Sequence, residues 1–228
     1  MATLLSICQT ALRETGQVNV PSSIVGNTNP LAVQLLALAN RSGRTLALDY
    51  RWQALITTYT FPTVAGTTDY ALPSDLHAFA NLTFWDRTNI EQCEGPVSPV
   101  MWEGLRSGNA IGVGLRKYFR VAGNLFSIYP TPAAAETVAY QYYTANWING
   151  KDQFSDDTDA PLIDADLITL DLKWRWRAAK GLAYDQEKAD FLGRLEALQA
   201  ADGGKNILRF GRSGLGAPVL NIPETGFG

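Results

Sequence analysis

One histidine, two cysteines and a scatter of carboxylates are the conventional reactive groups this 228-residue chain offers. His77 follows Ser74 and Asp75. Nucleophilic catalysis needs a base held across space from its nucleophile, and three neighbours in one turn do not supply that. Pro73 also marks the stretch as a strand end. The run Asp156-Asp157-Thr158-Asp159 has the look of a calcium loop. Counted from Asp157, the sixth position is Leu162, where glycine is needed, and the twelfth is Ile168, where a carboxylate is needed. Helix capping and loop solvation account for the run better. Carboxylate pairs for glycoside hydrolysis could be drawn from Glu91, Glu94, Glu103 or the 156–166 cluster, but any chain with 22 acidic residues offers such pairs. Gly104 to Gly114, followed by Arg116 and Lys117, has neither phosphate-loop nor dinucleotide-loop spacing and reads as a loop or hairpin tip. Cys8 and Cys93 form no disulfide framework or metal spacing, so both are expected reduced and packed, in a chain made in the cytosol. The expectation is a protein without catalytic residues, metal or cofactor.

Lys173-Trp174-Arg175-Trp176-Arg177 is the sharpest local feature. Interleaved aromatics and cations can stack on single-stranded nucleic acid. On a helix, however, positions 174 and 176 point about 200° apart and cannot make one platform. Trp174 is expected in the core with Leu167, Leu170 and Ala178, and Trp176 exposed on another face with Thr169, Lys173 and Lys180. That makes Arg175, Trp176 and Arg177 candidates for a contact between subunits.

The bulk numbers agree with a protein that meets other proteins. Hydrophobic residues are 46%, enough for one large domain or two small ones. Charged residues are 18%, below the usual quarter, as suits a chain that buries surface on folding and again on assembly. The net charge of −3 disfavours tight DNA binding, which normally needs a basic surplus. Residues 1–16 read as no signal peptide, and no run of 18 apolar residues is present, so no membrane partner is expected.

The elements follow from pattern. Leu4, Cys8, Ala11 and Leu12 make one stripe of a helix over 4–15, capped by Thr3 and ended by Gly16. Asn29-Pro30 starts a second helix, carried by Leu31, Leu35, Leu38 and Leu46 to about residue 50 or 55, with Gly43 marking a close helix approach. From Thr57 the chain turns β-branched and aromatic. Residues 57–61 and 69–72 suggest a hairpin about Ala65–Thr68, and Phe79 to Trp85 suggests another strand. Ser98-Pro99 opens a short helix with Trp102 and Leu105, Gly123-Asn124 turns a clear hairpin, and Val138, Tyr140 and Tyr142 alternate along a strand. Helix returns over Leu162 to Lys180, acidic early and basic late, and again over Asp185 to Ala201 with Leu192, Leu195 and Leu198 inward. The fold class is therefore α+β: a four-helix-type bundle (1–56 and 160–203) interrupted by a small antiparallel β barrel or sandwich insert (57–150), then an extended arm (204–228). The arm holds six glycines and two prolines and can make no core alone. Its apolar residues Ile207, Leu208, Phe210, Leu215, Val219, Leu220, Ile222 and Phe227, with Arg209 and Arg212, are expected to order on a partner, hinged at Gly203-Gly204.

Several passages resemble the head-to-tail adaptor proteins of short-tailed phages. Ala11-Leu12-Arg13-Glu14-Thr15-Gly16 is similar to the end of their first helix, and Tyr70-Ala71-Leu72-Pro73-Ser74-Asp75 to their Y-x-L-P-x-D strand end. The stretch Phe119 to Pro132, closing on Pro130-Thr131-Pro132, resembles their hairpin. Asp157-Thr158-Asp159-Ala160-Pro161-Leu162 resembles their re-entry to the bundle. Together these cover about 1–202, and their order is the stronger signal. The resemblance implies a virion protein, assembled in the host cytoplasm, that forms a ring under the portal, usually a dodecamer. Such a ring extends the DNA channel, lets genomic DNA pass without tight binding, and carries tail nozzle or tail-fibre proteins. The arm would then meet the portal or a neighbouring subunit. Rival readings are a virion-associated cell-wall glycan hydrolase, a carbohydrate- or receptor-binding module using Trp85, Trp102 and Trp147, and a connector of a long-tailed phage.

Overall fold

A computed structural model describes residues 2–107 and 116–203. The first helix, α1 (Leu4–Glu14), starts at a capping box in which Thr3 and Ser6 each accept the other's backbone N–H. Its expected stripe is buried, joined by Ile7. Helix α2 (Pro30–Asp49) begins as Asn29-Pro30 predicts, with Asn29 accepting the Leu31 N–H at 2.9 Å. Its buried positions are mostly small (Ala32, Ala39, Ser42, Gly43 and Ala47 beside Leu35 and Leu46), while Leu31 and Leu38 stay half-buried. Small residues let a neighbour come close. The approach expected at Gly43 is present, made by the Trp147 indole rather than by a helix.

A 3-10 turn at Gln53–Leu55 leads into β1 (Ile56–Pro62), β2 (Asp69–Ala71), β3 (Leu76–Phe79), β4 (Trp85–Asp86) and β5 (Glu91–Gln92). Then come α3 (Pro99–Arg106), β6 (Tyr118–Ala122), β7 (Leu125–Tyr129) and β8 (Thr137–Thr144). Ser98 caps α3, and Trp102 and Leu105 are buried as expected. The β6–β7 hairpin turns on Gly123 and Asn124, both at positive φ, the pairing a type I′ turn requires. One sheet runs β1-β8-β4-β5 with β3 also on β8, and the other runs β2-β7-β6. Neither closes into a barrel. The sheets share one aromatic core, with Phe61, Phe84 and Tyr140 on Phe119, Phe126 and Ile128.

Two strand expectations are corrected. The turn at 65–68 does not fold the chain back on β1, which pairs instead with β8 from Ile56↔Tyr143 to Pro62↔Thr137. β2 joins β7. The Tyr70 ring then meets Phe61 at 5.0 Å while its hydroxyl donates to the Thr67 carbonyl at 2.8 Å, so this turn links two sheets. Nor is Phe79 to Trp85 one strand. The chain leaves β8 after Phe79, turns through Leu82 at φ 61°, and returns at Trp85.

Helix α4 (Ala165–Ala179) is capped by Asp164, which accepts the Leu167 N–H at 2.8 Å, and α5 (Asp185–Gly203) follows. Helices α1, α2 and α5 each pack against α4. Their core also takes Trp147, Ile148, Phe154 and Ile163 from the β8–α4 connection. On α5 the inward stripe is Phe191, Leu195 and Leu198, at i, i+4 and i+7. Leu192 lies about 100° off that stripe and is exposed, against expectation.

Candidate functional site

The basic-aromatic run lies on α4, where it joins α4 to α5. Asp171 is fully buried in the hub helix, and a buried carboxylate needs partners. It accepts the Trp174 Nε1–H at 2.7 Å and the Arg175 Nε–H at 2.6 Å. The Arg175 guanidinium lies over the Trp174 ring at 4.8 Å, and Lys188 of α5 approaches the same ring at 5.8 Å. Arg177 donates to the Ala183 carbonyl and pairs with Glu187 of α5 at 2.8 Å, while Lys173 pairs with Glu14 of α1 at 2.7 Å. Trp176 is not exposed: only 3% of it meets solvent, in the helical core. Trp176 is thus inside against expectation, because α4 has helices around it and no free face there, while Trp174 is half-buried and packs against the same core. Arg175 and Arg177 remain half-buried at the surface, with 14% and 29% of their side chains exposed.

The groups that could have done chemistry make contacts within the fold. His77 Nε2 sits 3.2 Å from the Leu48 carbonyl at the end of α2, an exposed contact between β3 and the helices. Asp157 accepts the N–H groups of Ile24 and Val25 at 3.0 and 2.8 Å, and the carbonyls of Asp157 and Asp159 accept the Leu5 and Leu4 N–H groups. The acidic loop therefore caps α1 from outside, consistent with its reading as a capping element. Asp159 is held below the usual carboxylate range: burial opposes this, and Lys151 with the Ser155 and Asp156 N–H groups overcomes it. Glu94 pairs with Arg116, and Glu103 lies 3.9 Å from Arg120. Among the described residues no cluster of three metal-ligating side chains exists, and no helix is long and apolar enough to cross a membrane. Cys8 and Cys93 are free and buried, and burial pushes each thiol up to about 12. Gly104 lies in α3, while 108–115 of the glycine-rich stretch and the arm residues 204–228 lie outside the described residues.

Two of the passages that carried the resemblance lock the insert. Tyr70 ties its own turn, and Asp75 accepts the hydroxyls of Tyr142 at 2.9 Å and Thr144 at 2.7 Å. Phe119 and Phe126 stack at 5.1 Å, and Phe126 stacks on Phe84 at 4.5 Å. Beside them Lys117 bridges Asp86, which is fully buried, and Glu136 at 2.6 Å. Burial alone would raise the Asp86 pKa, but the Lys117 ammonium and Asn89 hold it below the ordinary carboxylate range. Asp86 and Glu136 likewise raise Lys117 above its ordinary value against the effect of burial.

These locks lie between Tyr70 and Thr144, and a family model matches far more of the chain: the model for the SU10 adaptor protein covers residues 2–214. The chain belongs to the SU10 adaptor protein family. No curated protein matches it. A phage adaptor is a structural component of the virion and of tail assembly, which accounts for a chain whose unusual charged groups all hold elements together. Sequence reasoning missed Asp171 as the anchor of the α4–α5 joint. Its signal, a carboxylate followed three and four residues later by Trp174 and Arg175, was present at helical spacing.

Proposed function

We propose that this chain forms a ring, a dodecamer by the family resemblance, that docks under the portal, extends the DNA channel and gives tail nozzle or tail-fibre proteins their platform. The observation that carries the reading is the family match over 2–214. The bundle reading of α1, α2, α4 and α5 makes the ring wall, and the two-sheet insert reaches toward the tail. The net charge of −3 per chain keeps passing DNA from being held tightly. In this reading the arm meets the portal or a neighbouring subunit through Ile207, Leu208, Arg209, Phe210, Arg212, Leu215, Val219, Leu220, Ile222 and Phe227. Arg175 and Arg177 offer their outward sides to a neighbour, with Trp176 supporting them from the core.

Mixing the purified chain with portal and imaging the product by electron microscopy tests the proposal. A closed ring capping the portal is expected. A chain that stays monomeric with every portal offered would defeat it.

A further inference from the structure

A groove of about 490 Å³ crosses the outer face of the first sheet, with Thr58 of β1 and Ala139 and Gln141 of β8 along its floor. Trp85 forms a wall and is 42% exposed, and Leu82 and Ile90 stand at the rim, 69% and 83% exposed. Both rim residues have left-handed backbones, φ 61° and 57°. For a β-branched residue such as Ile90 that conformation is a strained outlier, and glycine would adopt it freely. The free fold therefore bears two costs at one place: strained turns, and apolar side chains held out into water. Covering the groove removes the second.

The chain itself carries an occupant. Helix α5 ends at Gly203 beside Tyr50, and Asp202 accepts the Gln53 N–H at 3.1 Å. Gln53 precedes Thr58 by five residues, at most roughly 17 Å of chain. Phe210 comes seven residues after Gly203, with a reach of roughly 23 Å. The segment 204–228 carries Lys205, Arg209 and Arg212 against Glu224, a net +2, which leaves −5 on the rest of a chain whose total is −3. Apolar side chains within reach direct the segment to the groove; the opposite charge belongs to the body as a whole, the groove lining holding one acid, Asp86, and one base, Arg87.

We propose that the groove is the seat of this chain's own segment 204–228, entered by Ile207, Leu208 and Phe210. The seat does not depend on ring formation, and it excludes portal binding by the same residues, so a portal must displace the segment to capture it.

The test uses the full chain with a benzoylphenylalanine photo-cross-linker replacing Phe210, in a mixture of isotopically light and heavy copies. Cross-links to peptides holding Thr58 or Leu82–Ile90, between equal labels, are expected. The double variant Leu82→Gly, Ile90→Gly removes the rim while suiting the left-handed backbone. It should lower that yield roughly tenfold with no fall in unfolding midpoint. Cross-links elsewhere, cross-links only between unlike labels (a neighbour's seat), or a yield indifferent to the glycines would overturn the proposal. If portal capture needs the arm while Phe210 misses the groove, the seat fails and the adaptor reading stands.

Discussion

At Gly43 the backbone of α2 lies against the Trp147 indole so closely that even a methyl group would overlap it. Trp147 is fully buried and donates its Nε1–H to the Asp152 carbonyl at 2.7 Å, so it has little freedom to withdraw. Gly43→Ala should gain about 1 kcal/mol of helix propensity and still lower stability by about 1–3 kcal/mol through overpacking, read in urea unfolding. The Asp86–Lys117–Glu136 group sets a pH dependence. Asp86 is depressed in the folded state, so its stabilisation is present above the unfolded carboxylate value near about 4 and is lost as pH falls through the lower folded value. Lys117 is raised, so its share persists below the unfolded lysine value and disappears as pH climbs through the higher folded one. Lys117→Met leaves Asp86 buried without its cation and should cost about 3–5 kcal/mol near neutrality. It should also flatten the acid limb of stability against pH, and an unchanged acid limb would show that Asp86 is not its source.

Between helices the division of burial is uneven. Helix α4 buries Leu167, Ile168, Leu172 and Trp176, whereas the only buried residue on α5 is Phe191. Beside it Leu195 and Leu198 are only half-buried against the core, and polar ties add to them: Arg177 to Glu187, and Arg194 to Asp164 at 3.1 Å. Hydrogen exchange should therefore show α5 opening well before α4, since a local unit with little apolar burial has little to hold it closed. Asp164→Ala removes the α4 cap and the Arg194 partner together. It should cost about 1 kcal/mol as a lost cap and should speed exchange in α5 more than in α1. Equal exchange of α4 and α5 in the parent chain would show one cooperative unit instead.

For the whole molecule, the adaptor proposal makes the arm separable from the fold. A chain ending at Gly203 keeps every residue of the two described cores, so it should still fold, losing about 1–2 kcal/mol for the vacated groove, while losing portal capture in a pull-down. Unchanged portal capture would remove the arm from the interface and leave the ring face as the contact.

Local chemistry made much of this protein legible. Thr3, Asn29-Pro30, Ser98-Pro99 and Gly123-Asn124 each act through neighbours within a few residues, and each element starts or turns where they stand. The adaptor passages were legible too, because they are strings whose order survives without coordinates. Tertiary structure alone decided the pairings. Whether β2 returns to β1 or crosses to β7 depends on where the Tyr70 ring finds Phe61, which no alternation pattern encodes. It also decided which tryptophan of α4 is inside. Helical spacing separated Trp174 from Trp176, but burial depends on how many neighbours a helix has, and α4 packs against α1, α2 and α5. Leu82 and Ile90 were silent for the same reason: a positive φ and a groove beside it exist only once β3, β4 and β5 are in place.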